Sequence, residues 1–278
     1  MAKIKDKRIL ITGGAGSIGQ ELVRQLAPHN PVYILDNNET ATHDLAEEMQ
    51  QDGWNVNARV GDIKDSETVQ EVFSDFKPQL VFHAAAYKHV TPMEYAPIEA
   101  IRTNILGTWN VIKWVKYYQP YVEKFILIST DKAVNSHSIM GATKRVCEIM
   151  TRNQDRGFIV VRFGNVVGSR GSVIPLWENQ VRREKPITIT DPNMTRFFMT
   201  IPEAVELVIQ AGKMGIGGEI FILDMGEAKK IGDLAKELHP GYPQTIVGIR
   251  PGESMDEVLM SEEEKKVAVR EGKFWIIR

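Results

Sequence analysis

The fold is set by one stretch near the start of the chain, Ile9-Leu10-Ile11-Thr12-Gly13-Gly14-Ala15-Gly16-Ser17-Ile18-Gly19. A short apolar run leads directly into three spaced glycines, and a helical pattern follows through Gln25. In a dinucleotide site, one such glycine makes the tight turn, one lets the backbone approach the pyrophosphate, and one lets the helix pack on the strand. The helix N-terminus adds N–H groups and the positive end of its dipole. Asp36 follows about twenty residues after the turn, where such sites contact the adenosine ribose. The stretch therefore predicts a dinucleotide-binding unit.

Repetition of this pattern extends the unit into a sheet. Four further apolar runs are continuous rather than alternating: Val32–Leu35, Leu80–Phe82, Phe125–Ile128 and Phe158–Val161. Continuous runs are typical of strands that are buried on both faces of a parallel sheet. The clearest helix between them runs from about Ile98 to Tyr118, with apolar residues at steps of three or four. This alternation predicts an α/β fold, a Rossmann-type doubly wound parallel sheet.

The regularity loosens after Phe163. Residues 164–172 are rich in Gly, Ser and Asn and are predicted to form a loop. Further elements are predicted as a helix at 175–183, a strand at 187–190, a helix at 202–211 and a strand at 219–223. We interpret this part as a smaller lobe over the sheet. The sequence thus predicts a dinucleotide-binding domain over residues 1–164 and a substrate-binding lobe over residues 165–278, without a flexible linker between them.

The composition excludes several classes of protein. Of the 278 residues, 34 are Lys or Arg and 36 are Asp or Glu, so the net charge of −2 gives no electrostatic footprint for nucleic acid. The single cysteine, Cys147, cannot form an internal disulfide, which fits a reducing compartment. No apolar run approaches the ~20 residues of a membrane span, and the Ile9-Leu10-Ile11 run is too short for a signal-peptide core. A cytoplasmic globular protein is expected, with neither a membrane nor nucleic acid as its partner.

The chemistry is predicted at the carboxyl end of the Phe125–Ile128 run, because ligands bind there in open α/β sheets. Asp131 and Lys132 offer a proton donor and a base on adjacent positions, since a closed site can keep a carboxylic acid protonated and a lysine neutral. Taken alone, such a pair is more typical of a solvated turn. Met140 and Lys144 open the next helix on a shared face. By themselves they would be a core methionine and a surface lysine.

Six segments together resemble one branch of the extended short-chain dehydrogenase/reductases. They are His-Ala-Ala-Ala-Tyr-Lys-His-Val at 83–90, Arg-Thr-Asn-Ile-Leu-Gly-Thr at 102–108, Ser-Thr-Asp-Lys-Ala-Val-Asn at 129–135, Met-Gly-Ala-Thr-Lys-Arg at 140–145, Arg-Phe-Gly-Asn-Val-Val-Gly-Ser-Arg-Gly-Ser-Val-Ile-Pro at 162–175 and Ile-Arg-Pro-Gly-Glu at 249–253. The branch is that of the UDP-N-acetylglucosamine 4,6-dehydratases that invert carbon 5 in pseudaminic acid, flagellin-glycan and capsule synthesis. The resemblance runs from about Lys7 to the C-terminus.

The resemblance implies an enzyme, an NAD(P)-dependent nucleotide-sugar dehydratase that acts on UDP-N-acetylglucosamine. A tightly held cofactor would take hydride from carbon 4, Lys132 would remove the proton from carbon 5, and Asp131 would protonate the departing 6-hydroxyl. Hydride would return to carbon 6 and a proton to the opposite face of carbon 5, which gives UDP-4-keto-6-deoxy-L-AltNAc without net oxidation. Lys144 would hold the nicotinamide ribose, and Asn104 would orient the active-site helix and its water.

The resemblance also implies which residues bind the cofactor, and it implies no metal. These residues are Gly13, Gly16, Ser17, Ile18, Gly19, Asp36, Asp62, Ile63, Ala84, Ala85 and Lys144. Asp62 is expected at the adenine, whereas His83 beside this set is interpreted as a hydrogen-bonded structural histidine. The Asp36 carboxylate would bind the ribose diol and repel a 2′-phosphate, and residues 37–39 contain no Lys or Arg to offset that repulsion. NAD is therefore predicted as the cofactor, with NADP as the alternative.

A third set of residues is implied to bind the UDP-sugar. The set is Lys88, Asn165, Ser172, Val173, Ile174, Arg196, Arg250 and Glu253. Lys88 would line the sugar pocket, and the last three residues would close on the phosphates and the uridine ribose. A planar guanidinium can bind phosphate through two hydrogen bonds, which agrees with these roles for the arginines. Ordinary surface charges are the alternative interpretation of both.

One departure from the superfamily pattern concerns the first proton transfer. Met140 stands where Tyr-x-x-x-Lys has its tyrosine, and a thioether cannot take the proton of the 4-hydroxyl. The proton would then leave through Thr130 and a water toward Lys144, or through Asp131, or else the oxidation is slow. Slow oxidation would suit an enzyme whose substrate arrives already activated.

Two further departures leave the choice of sugar open. Residues 135–138 replace an Asn-Pro-x-Asn turn, and Ser254 and Asp256 stand where the family favours Lys and His. Three functions are therefore considered: the complete dehydration with inversion, a partial reaction on a 5,6-ene made by a partner enzyme, and an inactive dinucleotide sensor or scaffold. A sensor has no use for Asp131 and Lys132, which argues against the third.

Assembly is predicted from aromatic residues on the long helix. The superfamily commonly pairs subunits through the helices that contain Asn104 and Met140. The long helix contributes four aromatic residues, Trp109, Trp114, Tyr117 and Tyr118. This is more aromatic area than packing on one sheet needs, and interfaces favour aromatic residues. A homo-oligomer is predicted, with internal packing of the aromatic residues as the alternative.

Overall fold

The computed structural model describes residues 4–154 and 156–278. Within them the strands are β1 Ile9–Thr12, β2 Val32–Asp36, β3 Val56–Val60, β4 Leu80–His83, β5 Lys124–Thr130, β6 Phe158–Phe163, β7 Asn165–Val167, β8 Ile187–Ile189, β9 Thr195–Arg196, β10 Phe198–Thr200, β11 Ile220–Leu223, β12 Lys229–Lys230, β13 Gln244–Ile246, β14 Val269–Glu271 and β15 Phe274–Ile277. The α-helices are α1 Ser17–Leu26, α2 Glu39–Gln51, α3 Ser66–Phe76, α4 Val90–Tyr95, α5 Pro97–Ala100, α6 Thr108–Tyr117, α7 Ile139–Arg152, α8 Val173–Arg182, α9 Ile201–Met214, α10 Ile231–Leu238 and α11 Glu262–Val267. A π-helical segment covers Ile101–Gly107, and 3₁₀ turns cover Ala27–His29 and Asp131–Ala133.

Nine strands form one sheet in the order β14-β15-β11-β6-β5-β4-β1-β2-β3. The seven strands from β11 to β3 in this order run parallel, whereas β15 is antiparallel to β11 and β14 is antiparallel to β15. The strand order reverses beside β1, which pairs with β2 on one side and β4 on the other. Such a reversal opens a ligand-binding crevice outside the carboxyl ends of the strands. The predicted doubly wound sheet is confirmed.

Strand β1 shows why the apolar runs are continuous. Ile9 and Ile11 pack in the cluster on one face of the sheet, while Leu10 packs in the cluster on the other. Helices α1 and α9 contribute to the first cluster, and α3 and α6 to the second. Because helices cover both faces, neither face favours polar residues. The edge strand β3 was not predicted because Asn57 and Arg59 interrupt its apolar run.

The helix predicted from about Ile98 to Tyr118 is interrupted, which corrects that prediction. Helices α5 and α6 are joined by the π-helical segment, whose wider turn shifts the side chains around the axis. The early positions of the predicted apolar stripe are consequently at the surface, with Ile98 57% and Ile101 39% exposed. Only the later positions, such as Ile112, are buried.

The four aromatic residues of this helix divide into two pairs. Trp114 is buried and donates a hydrogen bond from Nε1 to the Ser66 carbonyl oxygen at 3.0 Å. Tyr118 stacks on Phe73 with ring centroids 5.9 Å apart. In contrast, Trp109 is 47% and Tyr117 is 72% exposed. The aromatic surface that could serve an interface is therefore half of what the sequence suggested.

The part of the chain after Phe163 is more regular than predicted. Residues 164–172 are not only a loop, because β7 within them pairs in parallel with β10. The predicted helices and strands that follow correspond to α8, β8, α9 and β11, with ends that differ by a few residues. Trp177 is fully buried in a small separate cluster with Ile187 and Leu234. Strands β11, β14 and β15 belong to the large sheet, so the division at residues 164 and 165 stays a prediction.

A buried charge network attaches the C-terminal segment to the sheet. Arg162 on β6 is fully buried, and its Nη2 lies 2.7 Å from Glu148 Oε2 on α7. Its Nη1 lies 2.8 Å from Glu264 Oε2 on α11. These two carboxylates offset the desolvation of the guanidinium and hold its pKa above the ordinary arginine value. Arg162 Nη1 also donates to the Leu259 carbonyl oxygen at 3.0 Å, so the network fixes the segment between β13 and α11 against β6.

Candidate active site

The glycine turn excludes side chains at two positions. Gly13 has φ +70°, and a Cβ there would lie 2.5 Å from the Ala85 backbone nitrogen. A Cβ on Gly19 would collide with the Gly13 carbonyl oxygen, because α1 packs directly on the turn. The carboxylate of Asp36, at the end of β2, accepts a hydrogen bond from Ala15 N–H at 3.0 Å. The turn and the acidic strand end are therefore adjacent, as the sequence predicts for a dinucleotide site.

The other predicted cofactor residues gather at the same edge. Ala84 follows β4, and its N–H donates to the Thr12 carbonyl oxygen at 3.0 Å. Ile63 is buried against Gly107, where a Cβ would lie 2.6 Å from its Cδ1. The Asp62 Oδ1 accepts a hydrogen bond from Lys64 N–H at 2.9 Å.

His83 is a structural histidine, as predicted. Its Nδ1 lies 2.6 Å from Thr12 Oγ1 and its Nε2 lies 2.9 Å from Thr108 Oγ1. Burial, with a smaller contribution from Lys144, lowers the pKa of His83 to about 3. The neutral ring therefore ties β1, β4 and α6 together.

A cavity of about 730 Å³ opens between the glycine turn, the loop after β4, the start of α7 and the start of α8. This volume is within the range of ligand pockets. The predicted site residues that line it are Gly13, Gly16, Ser17, Ile18, Gly19, Ala84, Lys88, Thr130, Lys132, Met140, Lys144, Asn165, Ser172, Val173, Ile174, Arg196, Arg250 and Glu253. The structure thus brings together the cofactor, catalytic and substrate sets. Those outside the lining are Asp36, Asp62, Ile63, Ala85, Asn104 and Asp131.

The predicted acid–base pair lies in the 3₁₀ turn after β5. The Asp131 side chain is buried, and its Oδ1 accepts hydrogen bonds from Thr130 Oγ1 at 2.8 Å and from Lys132 Nζ at 3.1 Å. Lys132 reaches the cavity, where Nζ also lies 3.3 Å from Asn165 Oδ1. The pair is one hydrogen-bonded unit in which Lys132 lines the cavity and Asp131 lies beneath it, outside the lining.

A third member of this unit, Glu257, was not predicted from the sequence. Its Oε2 accepts a hydrogen bond from Lys132 Nζ at 2.9 Å, and its Oε1 lies 3.1 Å from Arg196 Nε. The side chain is 5% exposed. Glu257 lies just beyond the last motif, at 249–253, in a segment without helical or strand periodicity. Only the departures at Ser254 and Asp256 drew attention to this part of the sequence.

The electrostatics of the unit favour an ion pair. Burial lowers the pKa of Lys132, but the negative charges of Asp131 and Glu257 outweigh burial and raise it above the ordinary value. The Lys132 charge and the hydrogen bonds in turn outweigh burial at Asp131 and keep its pKa below the ordinary value. Burial and the charge of Asp131 raise the pKa of Glu257 to about 7. Within the unit, Glu257 is the group that titrates near neutral pH.

Helix α7 presents Met140 and Lys144 to the cavity. Lys144 is buried, and its Nζ donates a hydrogen bond to the Ile128 carbonyl oxygen at 2.6 Å, while burial lowers its pKa. Met140 packs in an apolar cluster with Met93 and Ala100. A sulfur in this cluster neither donates nor accepts a proton in the cavity.

Asn104 joins two of the walls without lining the cavity. It lies in the π-helical segment and is fully buried. Its Oδ1 accepts from Tyr87 N–H at 2.8 Å, and its Nδ2 donates to Tyr87 O at 3.1 Å and to Thr143 Oγ1 at 2.9 Å. The loop after β4 is thereby fixed to α7, which agrees with the predicted orienting role for that helix.

The start of α8 offers unpaired polar groups to the cavity. Ser172 precedes α8 without a side-chain cap, and its Oγ is buried with no hydrogen-bond partner among the described residues. The first N–H groups of a helix also lack intrahelical acceptors. Together these donors suit an anionic ligand.

The two predicted phosphate-binding arginines differ. Arg196 is buried, and it donates from Nη1 to the carbonyl oxygens of Thr195 at 2.7 Å and Met255 at 3.0 Å, and from Nη2 to that of Ser254 at 2.8 Å. Most of its donors therefore hold the C-terminal segment in place. Arg250 is exposed at the cavity mouth, where its backbone N–H donates to Glu253 Oε2 at 3.0 Å.

The family pattern described as "Polysaccharide biosynthesis protein" matches residues 9–278. The chain belongs to this family. The chain is 47% identical to the capsular polysaccharide biosynthesis protein CapD of Staphylococcus aureus, over 94% of the chain and 46% of that protein. It is 37% identical to the UDP-N-acetylglucosamine 4,6-dehydratase (inverting) of Campylobacter jejuni, over 93% of the chain and 78% of that protein. The chain thus spans about half the length of the first of these relatives.

Solved structures confirm the extended short-chain dehydrogenase/reductase fold of this family member. The structure of Pen from Bacillus thuringiensis superimposes with a TM-score of 0.92 at 36% identity, over 99% of the chain and 89% of Pen. The UDP-glucose 4-epimerase of Thermus thermophilus in complex with NAD has a TM-score of 0.79 at 25% identity, over 91% of the chain and 90% of that protein. Among the described residues, each helix is too short or too polar to span a bilayer.

Proposed function

We propose that this chain is an NAD-dependent nucleotide-sugar dehydratase that removes water from UDP-N-acetylglucosamine and inverts carbon 5, giving UDP-4-keto-6-deoxy-L-AltNAc. The observation that carries the proposal is the hydrogen-bonded Asp131–Lys132 unit, whose Lys132 lines the same cavity as the dinucleotide turn and the start of α8. The name of the Campylobacter jejuni relative supports the reaction. The name of the Staphylococcus aureus relative supports a place in surface-polysaccharide synthesis. We include a role in pseudaminic acid synthesis in the proposal. A cytoplasmic location stays a prediction.

The cofactor end fits NAD. The turn at Gly13 and Gly19 has no room for side chains, so the backbone can approach a pyrophosphate. The carboxylate of Asp36 lies beside that turn and is suited to the hydroxyl groups of a ribose. Lys144 faces the cavity from α7, where it would bind the nicotinamide ribose. Bound NAD would supply reversible hydride removal at carbon 4, which acidifies the proton at carbon 5.

Lys132 and Asp131 carry out the elimination in this proposal. Neutral Lys132 takes the proton from carbon 5, and protonated Asp131 gives its proton to the departing 6-hydroxyl. The pair ends as an ammonium and a carboxylate with Nζ and Oδ1 3.1 Å apart, which is the ion pair that the surrounding contacts stabilise. A site that stabilises charges as they develop lowers the barrier of the step.

The substrate would lie with its diphosphate at the start of α8. The orphaned Ser172 hydroxyl and the free N–H groups of this helix are the donors that support this placement. Arg250, Glu253 and Lys88 complete the lining on the other side. Arg196 contributes chiefly by fixing the segment that contains Glu257.

A partial reaction on a 5,6-ene is the second candidate, and Met140 is the observation that favours it. The residue that would replace the superfamily's tyrosine base is packed against Met93 and Ala100 and cannot take the 4-hydroxyl proton. An inactive sensor is disfavoured because burying the charges of an acid–base unit costs free energy, and a sensor has no function for that unit.

Product analysis separates these candidates. Purified protein with NAD is incubated with UDP-N-acetylglucosamine and, separately, with the 5,6-ene, and the products are identified by NMR. We expect the 4-keto-6-deoxy sugar from UDP-N-acetylglucosamine. Product only from the 5,6-ene would replace the complete reaction by the partial one, and no conversion of either would exclude both.

A self-association surface is part of the proposal. Exposed apolar side chains lie on the helices around Asn104 and on α7, namely Ile98, Ile101, Leu106, Trp109, Tyr117, Val146 and Ile149. Such a surface favours an interface between copies of the chain.

A further inference from the structure

A lysine that acts as a base must first lose its proton, yet Lys132 is held as an ammonium. Its Nζ lies 3.1 Å from Asp131 Oδ1 and 2.9 Å from Glu257 Oε2, so it faces two carboxyl groups. Both neighbours raise the pKa of Lys132 above its ordinary value despite burial. The proposed role at carbon 5 therefore needs a nearby group that can accept the ammonium proton.

Glu257 has the position and the surroundings for this task. Its Oε2 already accepts a hydrogen bond from Lys132, and its Oε1 is fixed by Arg196 Nε at 3.1 Å. The charged groups that face it are Asp131 and Lys132 from the turn after β5 and Arg196 from β9. Burial and the Asp131 charge raise the pKa of Glu257 to about 7, which makes this carboxylate a better proton acceptor than an ordinary one.

We propose that Glu257 is the proton store of the acid–base unit, a positioning residue that takes the ammonium proton of Lys132 across the hydrogen bond between Nζ and Oε2. One N–H bond of Lys132 breaks as one O–H bond of Glu257 forms. The products are a neutral amine and a carboxylic acid, so the number of protons and the total charge of the site do not change. Glu257 need not touch the substrate, because it acts only through Lys132.

The Asp131 carboxyl group can accept a hydrogen bond from the protonated Glu257. The carboxyl groups of Asp131 and Glu257 both contact Lys132 Nζ, and a hydrogen bond between the two would need a proton on one of them. Asp131 Oδ2 is buried without a hydrogen-bond partner among the described residues. A protonated Glu257 would therefore donate to the ionised Asp131, which stabilises the neutral-lysine state. Asp131 then remains free to receive the 4-hydroxyl proton through Thr130, whose Oγ1 lies 2.8 Å from Oδ1.

This inference rests on the proposed dehydratase, and the pH dependence of kcat tests it. In the wild type, activity should fall as the pH drops through the pKa of Glu257, because the store is then already filled while Lys132 is still charged. Glu257→Gln keeps the shape but cannot store a proton. Lys132 then becomes a base only near its own pKa, which Asp131 still raises, so the low-pH limb of the kcat profile should move to higher pH. At neutral pH, kcat should fall on the order of 10²-fold, while KM changes by less than about threefold.

Two further variants separate proton storage from simple structure. Glu257→Asp retains a carboxyl group and should restore an acid limb near that of the wild type. Asp256→Asn is the matched control, because Asp256 is exposed and its Oδ1 accepts a hydrogen bond only from Thr195 Oγ1 at 2.6 Å among the contacts of the described residues. It should leave the profile unchanged. The proposal would be overturned if Glu257→Gln lowered kcat but left the low-pH limb of the kcat profile at the same pH.

An infrared measurement keeps this test independent of turnover. The difference spectrum between the wild type and Glu257→Gln, with NAD and UDP bound, should contain the carbonyl band of one protonated carboxyl group at a pH below the pKa of Glu257, and this band should fade as the pH rises above that pKa. Absence of that band would overturn the proton store. If the wild type shows the band but does not convert UDP-N-acetylglucosamine, the proposed function fails while the proton store stands.

Discussion

The two ends of the cavity are built in different ways. The cofactor end comes from one local stretch, β1 to β2, whose turn is closed by backbone hydrogen bonds such as Gly13 N–H to the Leu35 carbonyl oxygen at 2.8 Å. The chemical end is assembled from distant segments, because Lys132 contacts Glu257 125 positions later in the chain. A local motif specifies its own geometry, whereas an assembled site depends on the packing of the whole sheet. The first can be recognised from local spacing alone, whereas the contacts between the distant segments of the second cannot.

The two ends also bind charge differently. The glycine turn offers backbone N–H groups and a helix N-terminus, which cost no desolvation of charged side chains. The chemical end buries four charged groups together: Asp131, Lys132, Arg196 and Glu257. Removing one partner of a buried pair leaves the other uncompensated. Substitutions at the chemical end should therefore have the larger effects.

The largest effect is expected at the acid–base pair. Asp131→Asn and Lys132→Ala should each reduce turnover of UDP-N-acetylglucosamine on the order of 10²–10⁴-fold, as expected for general acid–base groups. Binding of UDP should change little, because the start of α8 is unaltered. Steady-state kinetics and calorimetry measure the two quantities. Lys132→Ala also leaves two carboxyl groups facing each other, so its thermal unfolding is measured to separate lost chemistry from lost folding. Near-normal turnover in either variant would contradict the assigned roles.

A smaller effect is expected at the cofactor end. The Asp36 carboxylate, hydrogen-bonded to the turn at 3.0 Å, should repel a 2′-phosphate. NAD should therefore bind at least about tenfold more tightly than NADP, a difference of ~1.4 kcal/mol. Asp36→Asn should reduce that preference, mainly through tighter NADP binding. Fluorescence titration with both cofactors measures the preference, and tighter binding of NADP by the wild type would refute the prediction.

The same contrast explains what could be predicted from the sequence. The strands at Ile9–Thr12 and Phe158–Phe163 have continuous apolar runs because helices cover both faces of the sheet. The glycine spacing identifies the turn because no side chain fits there. The charge state of Lys132 was not predictable, since it depends on Glu257. The Arg162 network and the Arg196 contacts place Glu257 beside Lys132, and neither can be seen in the sequence. The π-helical segment Ile101–Gly107 was also not predictable, because i→i+5 hydrogen bonding produces no recognisable pattern of apolar residues.

A third test asks whether helix α6 also joins subunits. Trp109→Glu places a charge on the exposed apolar surface of α6, where the tryptophan is 47% exposed. If copies pair there, the variant should dissociate at concentrations at which the wild type is associated, because charged residues are depleted from interface cores. Trp54→Glu is the matched control, since Trp54 is 37% exposed on the loop after α2. Sedimentation at micromolar concentration measures both, and a monomeric wild type would contradict the homo-oligomer.

The smallest effect is expected at Met140, where the two ends meet. Met140 is 2% exposed and packs against Met93 and Ala100, yet it also lines the cavity. A tyrosine has space on the cavity side, so Met140→Tyr should keep the fold at a cost within the ~1–3 kcal/mol of an overpacked site. Thermal unfolding measures that cost.

The kinetic consequence of Met140→Tyr follows from the proton route. Thr130 Oγ1 donates to Asp131 Oδ1 at 2.8 Å, whereas Lys144 Nζ donates to the Ile128 carbonyl oxygen at 2.6 Å. The proton of a 4-hydroxyl group in contact with Thr130 Oγ1 would thus have a path to Asp131 that does not need a tyrosine. We expect the variant to remain active and to oxidise carbon 4 a few-fold faster, on the order of 1 kcal/mol in the barrier, because a phenol on the same face as Lys144 adds a second path. Transient NADH absorbance in a single turnover of UDP-N-acetylglucosamine compares the two proteins. If the wild type forms NADH as fast as the variant, the Thr130–Asp131 path is sufficient. Met140 would then no longer favour a partial reaction.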